Sequence, residues 1–206
     1  MNHEGDAMSN ELSAQLAPAA IPTTGRAVWL RSAGIVLAGS AFVALCANRA
    51  LPLYFTPVPL TLQPFAVLLL GLLLTPRLAA ATLAAYLVEG AFGLPVFAPT
   101  QQLTFGLAHL FGPTGGYLLA YPLAAPLISS IWRSTRRGFA SAAWSAAAGN
   151  FVILSCGAVW LAALTHASVQ SILDFSVLPF LPGDALKIAA AAAIAAGYQR
   201  LRRSAA

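Results

Sequence analysis

Charge is what this sequence has least of. Only 8% of its 206 residues are Asp, Glu, Lys or Arg, against roughly 25% in a soluble domain. So few charges cannot cover a water-facing surface, and the chain is 59% hydrophobic with a mean hydropathy of +0.77. A soluble globular protein is therefore excluded in favour of an integral membrane protein. Cysteine is equally scarce. Cys46 and Cys156 each sit inside an apolar run, far apart in sequence; they read as buried free thiols and say nothing of redox compartment. No G-x-x-x-x-G-K-[ST] phosphate loop is present, since Gly112–Gly116 lacks both the lysine and the strand context. The chain by itself is no ATPase of that type. There is no H-E-x-x-H run or Cys/His cluster, and the three histidines are scattered, so no metal site is expected. No serine stands between glycines with a histidine on a neighbouring helix, which leaves an intramembrane enzyme as a remote reading. No cofactor is implied. The net charge of +5 is not a nucleic-acid signal, because the arginines lie in short loops between apolar runs. A basic leader is missing too: Glu4, Asp6 and Glu11 precede the first arginine, so no cleavable signal is expected.

Long apolar runs are what remains. Residues 1–27, polar and broken by Pro18, Pro22 and Gly25, read as a flexible cytoplasmic tail. Residues 28–203 read as one transmembrane domain of six helices, over about 28–48, 60–75, 77–93, 116–132, 140–164 and 179–203, an all-α fold. In the first helix Gly34 and Ala38, then Ser40 and Ala44, set small residues at four-residue spacing. Such a face suits close packing, either within the bundle or against a partner. Residues 49–61 hold three prolines and no helical period, as expected of irregular backbone at a membrane surface or cavity. Residues 94–115 and 165–178 read as loops; the first is long and semi-apolar, which suits a lid or binding loop.

Six spans put both termini on one side. With that side cytoplasmic, Arg26, Arg31, Arg77, Arg133, Arg136, Arg137, Arg200, Arg202 and Arg203 lie inside and Arg49 alone lies outside. This is the bias of the positive-inside rule. The irregular segments and most interior polar residues then fall on the outer half, as in a protein that captures something from outside.

The last helix, PFLPGDALKIAAAAAIAAGYQRLRR, holds the chain's one lysine, Lys187, three residues after Asp184. That spacing makes them neighbours on one helical face, and ionised groups at bilayer depth pair, face a cavity or work. The modest alternative has Asp184 capping the helix after Pro-Gly and Lys187 snorkelling outward. Glu89 either pairs with Lys187, faces water or meets a ligand. Tyr86 and Tyr117 either stack on a ligand ring or pack. His109 and His166 read as interfacial residues, His109 with reach to a ligand.

The runs PVPLTLQPFAVLLLG (57–71), YLVEGAFGLPVFA (86–98), GPTGGYL (112–118) and PGDALK (182–187) stand in an order and spacing that resemble the BioY family. These are biotin-binding S components of energy-coupling factor (ECF) transporters. The resemblance covers about residues 30–200. It implies a six-helix fold in the cell membrane, a biotin site near the outer face, and partnership with a transmembrane T subunit and two ATPase subunits. The alternatives are a solitary biotin transporter or an S component for another small vitamin. By resemblance, Asp184 and Lys187 contact biotin, Asp184 accepting from ureido N–H groups and Lys187 donating to the ureido oxygen or the valerate carboxylate. The GLP and GPTGGY segments, with Gly115 and Tyr117, correspond to loops that close over the ligand. The sequence departs from the family at PTQQLTFGLAHL, where many members carry an arginine for the ligand carboxylate. Lys187, His109, Gln101 and backbone N–H groups are the substitutes expected here.

Overall fold

The computed structural model describes residues 25–99 and 105–205. The chain divides into two units, 1–32 and 33–206. The described part of the first is the opening of helix α1 (Gly25–Ala47), where Val28, Trp29 and Leu30 are exposed. Nearly all of the tail expected over 1–27 lies outside the described residues, as does Gln101.

The second unit is built almost wholly of helices. After α1 come two short strands, β1 (Ala50–Leu51) and β2 (Leu60–Thr61), paired antiparallel, then α2 (Gln63–Leu73) and α3 (Pro76–Ala91). There follow α4 (Leu107–Leu110), α5 (Gly115–Arg133), α6 (Phe139–Thr165), α7 (Val169–Ser176) and α8 (Leu181–Ser204). Six of these helices fall on the six apolar runs. Two, α1 and α6, are long and apolar enough to cross a membrane by themselves, and α7 with α8, bent by 50° at their junction, make a third when taken as one span.

Helix α2 is buried along most of its length. Pro64 stands at its start, where a missing N–H costs little, and every residue from Ala66 to Leu72 is buried. Around it the core forms two clusters. One gathers Val43, Val67, Leu83, Tyr86, Tyr121, Ile153 and Phe180; the other gathers Leu68, Leu72, Ile128, Trp132 and the alanines Ala191, Ala192 and Ala195 of α8. Alanine there lets α8 lie close on α2. Helices α5 and α6 approach closest where glycine removes a side chain. A Cβ on Gly116 would strike Trp160, and one on Gly157 would strike the ring of Tyr117.

The turns gather at two ends. At one, Ser129 Oγ donates to Leu74 O at 2.6 Å, and Arg203 Nη2 donates to Arg136 O at 3.3 Å. The 74–77 turn, the 134–138 loop and the end of α8 therefore meet there, with Arg77, Arg133, Arg136, Arg137 and the three terminal arginines. At the other end the segment 49–62 closes on itself, Leu62 N–H donating to Arg49 O at 3.3 Å.

Four expectations need correction. The segment 49–61 is irregular but carries the short ladder of β1 and β2. The stretches 94–115 and 165–178 are not all loop: the first holds α4, and in the second Ser168 accepts from Ser171 N–H and so caps α7, which buries Ile172 and Ser176. Pro182-Gly183 lies inside the first turn of α8 rather than before it. His166, with φ of 52°, ends α6 in the left-handed conformation and donates its N–H to Ala162 O.

Candidate functional site

The arginine-poor end of the second unit holds a partly open cavity, and α8 lines it with its first turns. Asp184 N–H bonds back to Phe180 O at 2.8 Å, which sets the turn. One turn on, Lys187 Nζ donates to Asp184 Oδ1 at 2.9 Å, with side chains only 9% and 5% exposed. From α6, Asn150 Nδ2 donates to Asp184 Oδ2 at 3.0 Å. Such support is what a buried ion pair needs, since removing two ions from water costs several kcal/mol per ion. The carboxylate caps nothing: the N-cap residue of α8 is Phe180, with no side-chain cap, and Lys187 is buried rather than reaching outward.

The walls come from every neighbouring element. Val58, Pro59 and Thr61 come from the segment before α2, Gln63 and Pro64 from α2 itself, and Ala98 from the stretch after α3. His109 comes from α4 and Thr114 from the turn before α5; Tyr117, Leu118 and Tyr121 come from α5; Asn150, Ile153 and Leu154 from α6. The result is a largely apolar chamber with a few converging polar groups and one charged pair, the makeup of a small-molecule site. The ion pair is neutral overall, so the chamber offers directed hydrogen bonds rather than net charge. Among the described residues no group of three metal-ligating side chains is found.

A ladder of rings backs one wall. Tyr86 OH donates to Val96 O at 2.9 Å and accepts from Gln63 Nε2 at 2.7 Å. Phe97 stands edge-on to Tyr86, with ring centroids 5.4 Å apart, fills the notch left by Gly90, and stacks on His109 at 5.0 Å. Thr114 Oγ1 lies 3.4 Å from His109 Nε2. On the far side Tyr117 OH donates to Ser176 O at 2.7 Å, tying α5 to the end of α7.

A profile of the BioY family matches residues 13–204. The chain belongs to the BioY family. A probable biotin transporter BioY of Pyrococcus horikoshii is 40% identical over 77% of this chain and 91% of its own length. The biotin transporter BioY of Thermotoga maritima is 34% identical over 70% of this chain and 83% of its own. Among solved structures, the S component for biotin from an ECF-type ABC transporter superposes with a TM-score of 0.74 at 25% identity. It covers 84% of this chain and 92% of that one.

In this BioY-family chain the residues singled out in the sequence divide into two groups. Asp184, Lys187, His109 and Tyr117 line the cavity together. Tyr86, Glu89 and Gly115 stand off it. Tyr86 reaches it through Gln63, and Gly115 lets the chain turn tightly, since a Cβ there would strike Leu110 O. Glu89 accepts from Ser40 Oγ at 2.8 Å, between α1 and α3, rather than pairing with Lys187. Two polar lining residues, Tyr121 and Asn150, do not stand out in the sequence, and Asn150 is the one bonded to the ion pair. Its signal is a lone amide inside the apolar run of α6, but nothing in that run says which side the amide faces.

Proposed function

We propose that this BioY-family protein is the biotin-binding, membrane-embedded S component of an ECF transporter. In this reading it captures biotin at the outer face of the cell membrane and delivers it inward. A transmembrane T subunit and two ATPase subunits supply the energy. The transporter family supports uptake rather than catalysis, and the chain is not an enzyme. The observation that carries the reading is the buried Asp184–Lys187 pair set in an apolar chamber. A bicyclic ring with a polar urea edge and an aliphatic tail suits such a chamber: ring and tail bury apolar area, and the urea edge meets the pair.

Six crossings with cytoplasmic termini belong to the same reading. It is supported by the gathering of Arg77, Arg133, Arg136, Arg137 and the terminal arginines at the end opposite the cavity. Helix α2, with 11 residues, is about 16 Å long at 1.5 Å per residue. It crosses a hydrocarbon layer of about 30 Å only together with the irregular segment before it.

The test is calorimetric titration of purified protein with biotin, alongside biotin uptake by cells with and without the ATPase subunits. One-to-one binding and ATPase-dependent accumulation are expected. A folded protein that ignores biotin and binds another vitamin would overturn the substrate. Undiminished uptake without the ATPases would overturn the partnership.

A further inference from the structure

Asn150 is 5% exposed, lines the cavity, and spends its Nδ2 on Asp184. The sense of that amide is set by chemistry. A carboxylate that already receives an ammonium accepts and does not donate, so Asn150 must turn its NH2 toward it. The Oδ1 is left over as an acceptor, buried and without a partner among the described residues. Buried polar atoms are nearly always paired in native proteins. The other such atom, Trp132 Nε1, is packed in the core cluster around Leu72 and Ile128, whereas Asn150 stands at a cavity wall, where a ligand can bring the missing donor.

We infer that Asn150 Oδ1 is the second acceptor of the binding site, and that the site selects ligands with two divergent N–H donors flanking one acceptor. The inference rests on the biotin reading given above, and it says which atoms of the urea are read. The two N–H bonds of a five-membered cyclic urea diverge on either side of the carbonyl, so one carboxylate cannot take both. Asp184 accepts one, Asn150 accepts the other, and Lys187 has N–H groups left for the oxygen between them. Specificity then comes from the acceptor order along this edge. A ligand with a ring oxygen in place of either N–H would set lone pair against lone pair.

The probes are biotin and its two cyclic carbamate isomers, each with a ring oxygen in place of one ureido N–H. They are titrated calorimetrically into the full-length protein in detergent. With the wild type each carbamate is expected to bind about tenfold or more weakly than biotin. In Asn150→Ala the penalty for one isomer should collapse toward zero while that for the other persists. A merely structural Asn150 would weaken all three ligands alike and overturn the inference. So would a wild type that binds either carbamate as tightly as biotin, a result that needs no folded variant. Failure of the wild type to bind biotin overturns the substrate reading along with this one, whereas biotin binding without carbamate discrimination overturns this one alone.

Discussion

Lys187 and Asp184 are each the other's main compensation for burial, so single and double substitutions have different consequences. Lys187→Met or Asp184→Asn removes a hydrogen bond to a charged group, worth about 1.5–3 kcal/mol, and biotin affinity should fall roughly ten- to a hundredfold. Lys187→Met also strands a carboxylate that is nine-tenths or more buried, and breaking such a pair costs about 3–5 kcal/mol of stability. The double variant Asp184→Asn, Lys187→Met should regain thermal stability without regaining affinity. Melting in detergent and titration calorimetry, run on all four proteins, check both halves. On the proposal that the ammonium reads the ring edge, biotin methyl ester should lose affinity in Lys187→Met as much as biotin does; loss of discrimination between acid and ester would place it on the tail instead. The pair was legible in the sequence because a single lysine three residues from an aspartate has few ways to be tolerated in an apolar helix. Asn150 was not, because an amide carries no charge to balance and its facing depends on how α6 is rotated against α8. Glu89 could be seen as an anomaly, but its partner Ser40 lies 49 positions away, and no local spacing points there.

At the scale of helices, the positions of the six long elements follow from the apolar runs and their proline and glycine punctuation. What the runs could not show is which glycines carry contacts. Gly157 holds the Tyr117 ring against α6, so Gly157→Val should overpack the α5–α6 contact, lowering stability by about 1–3 kcal/mol and biotin affinity with it. A Cβ on Gly34 would meet nothing within 4 Å, so Gly34→Ala should cost nothing in packing and raise stability by about 0.5–1 kcal/mol through helix propensity. The small residues of α1 divide in the same way. Ala38 faces away from the bundle, whereas Ser40 is buried on Glu89 and Ala44 packs against the core. Ala38→Trp is therefore expected to spare folding and biotin binding and to impair uptake wherever this face meets the T subunit. Ala44→Trp should unfold part of the core. Thermal melting, binding and uptake measured together separate the two. Helix α7 escaped the sequence reading because eight residues are too few to show a helical period beside a polar loop.

For the molecule as a whole, the arginine asymmetry makes a topological prediction. A cysteine in place of Tyr54, which is 98% exposed at the cavity end, should react with a membrane-impermeant thiol reagent in intact cells. One in place of Arg136 should react only after permeabilisation. The native thiols are replaced beforehand, and reaction of both sites in intact cells would refute the six-crossing orientation. The ion pair inside α8 has one more consequence, and it concerns biosynthesis. Because the acid and the base sit three residues apart on one helix, they are expected to pair within α8 itself as it inserts. The last helix can thus be released into lipid without waiting for a charged partner elsewhere in the chain. An unpaired charge costs roughly 2.5–3.5 kcal/mol at a helix centre on insertion scales and less toward an end, where this pair stands. In a glycosylation-mapping assay, Lys187→Met and Asp184→Asn should therefore each leave α8 less well inserted than the wild type or the double variant. Glu89, on α3, is likewise preceded in the chain by the Ser40 of α1 that donates to it.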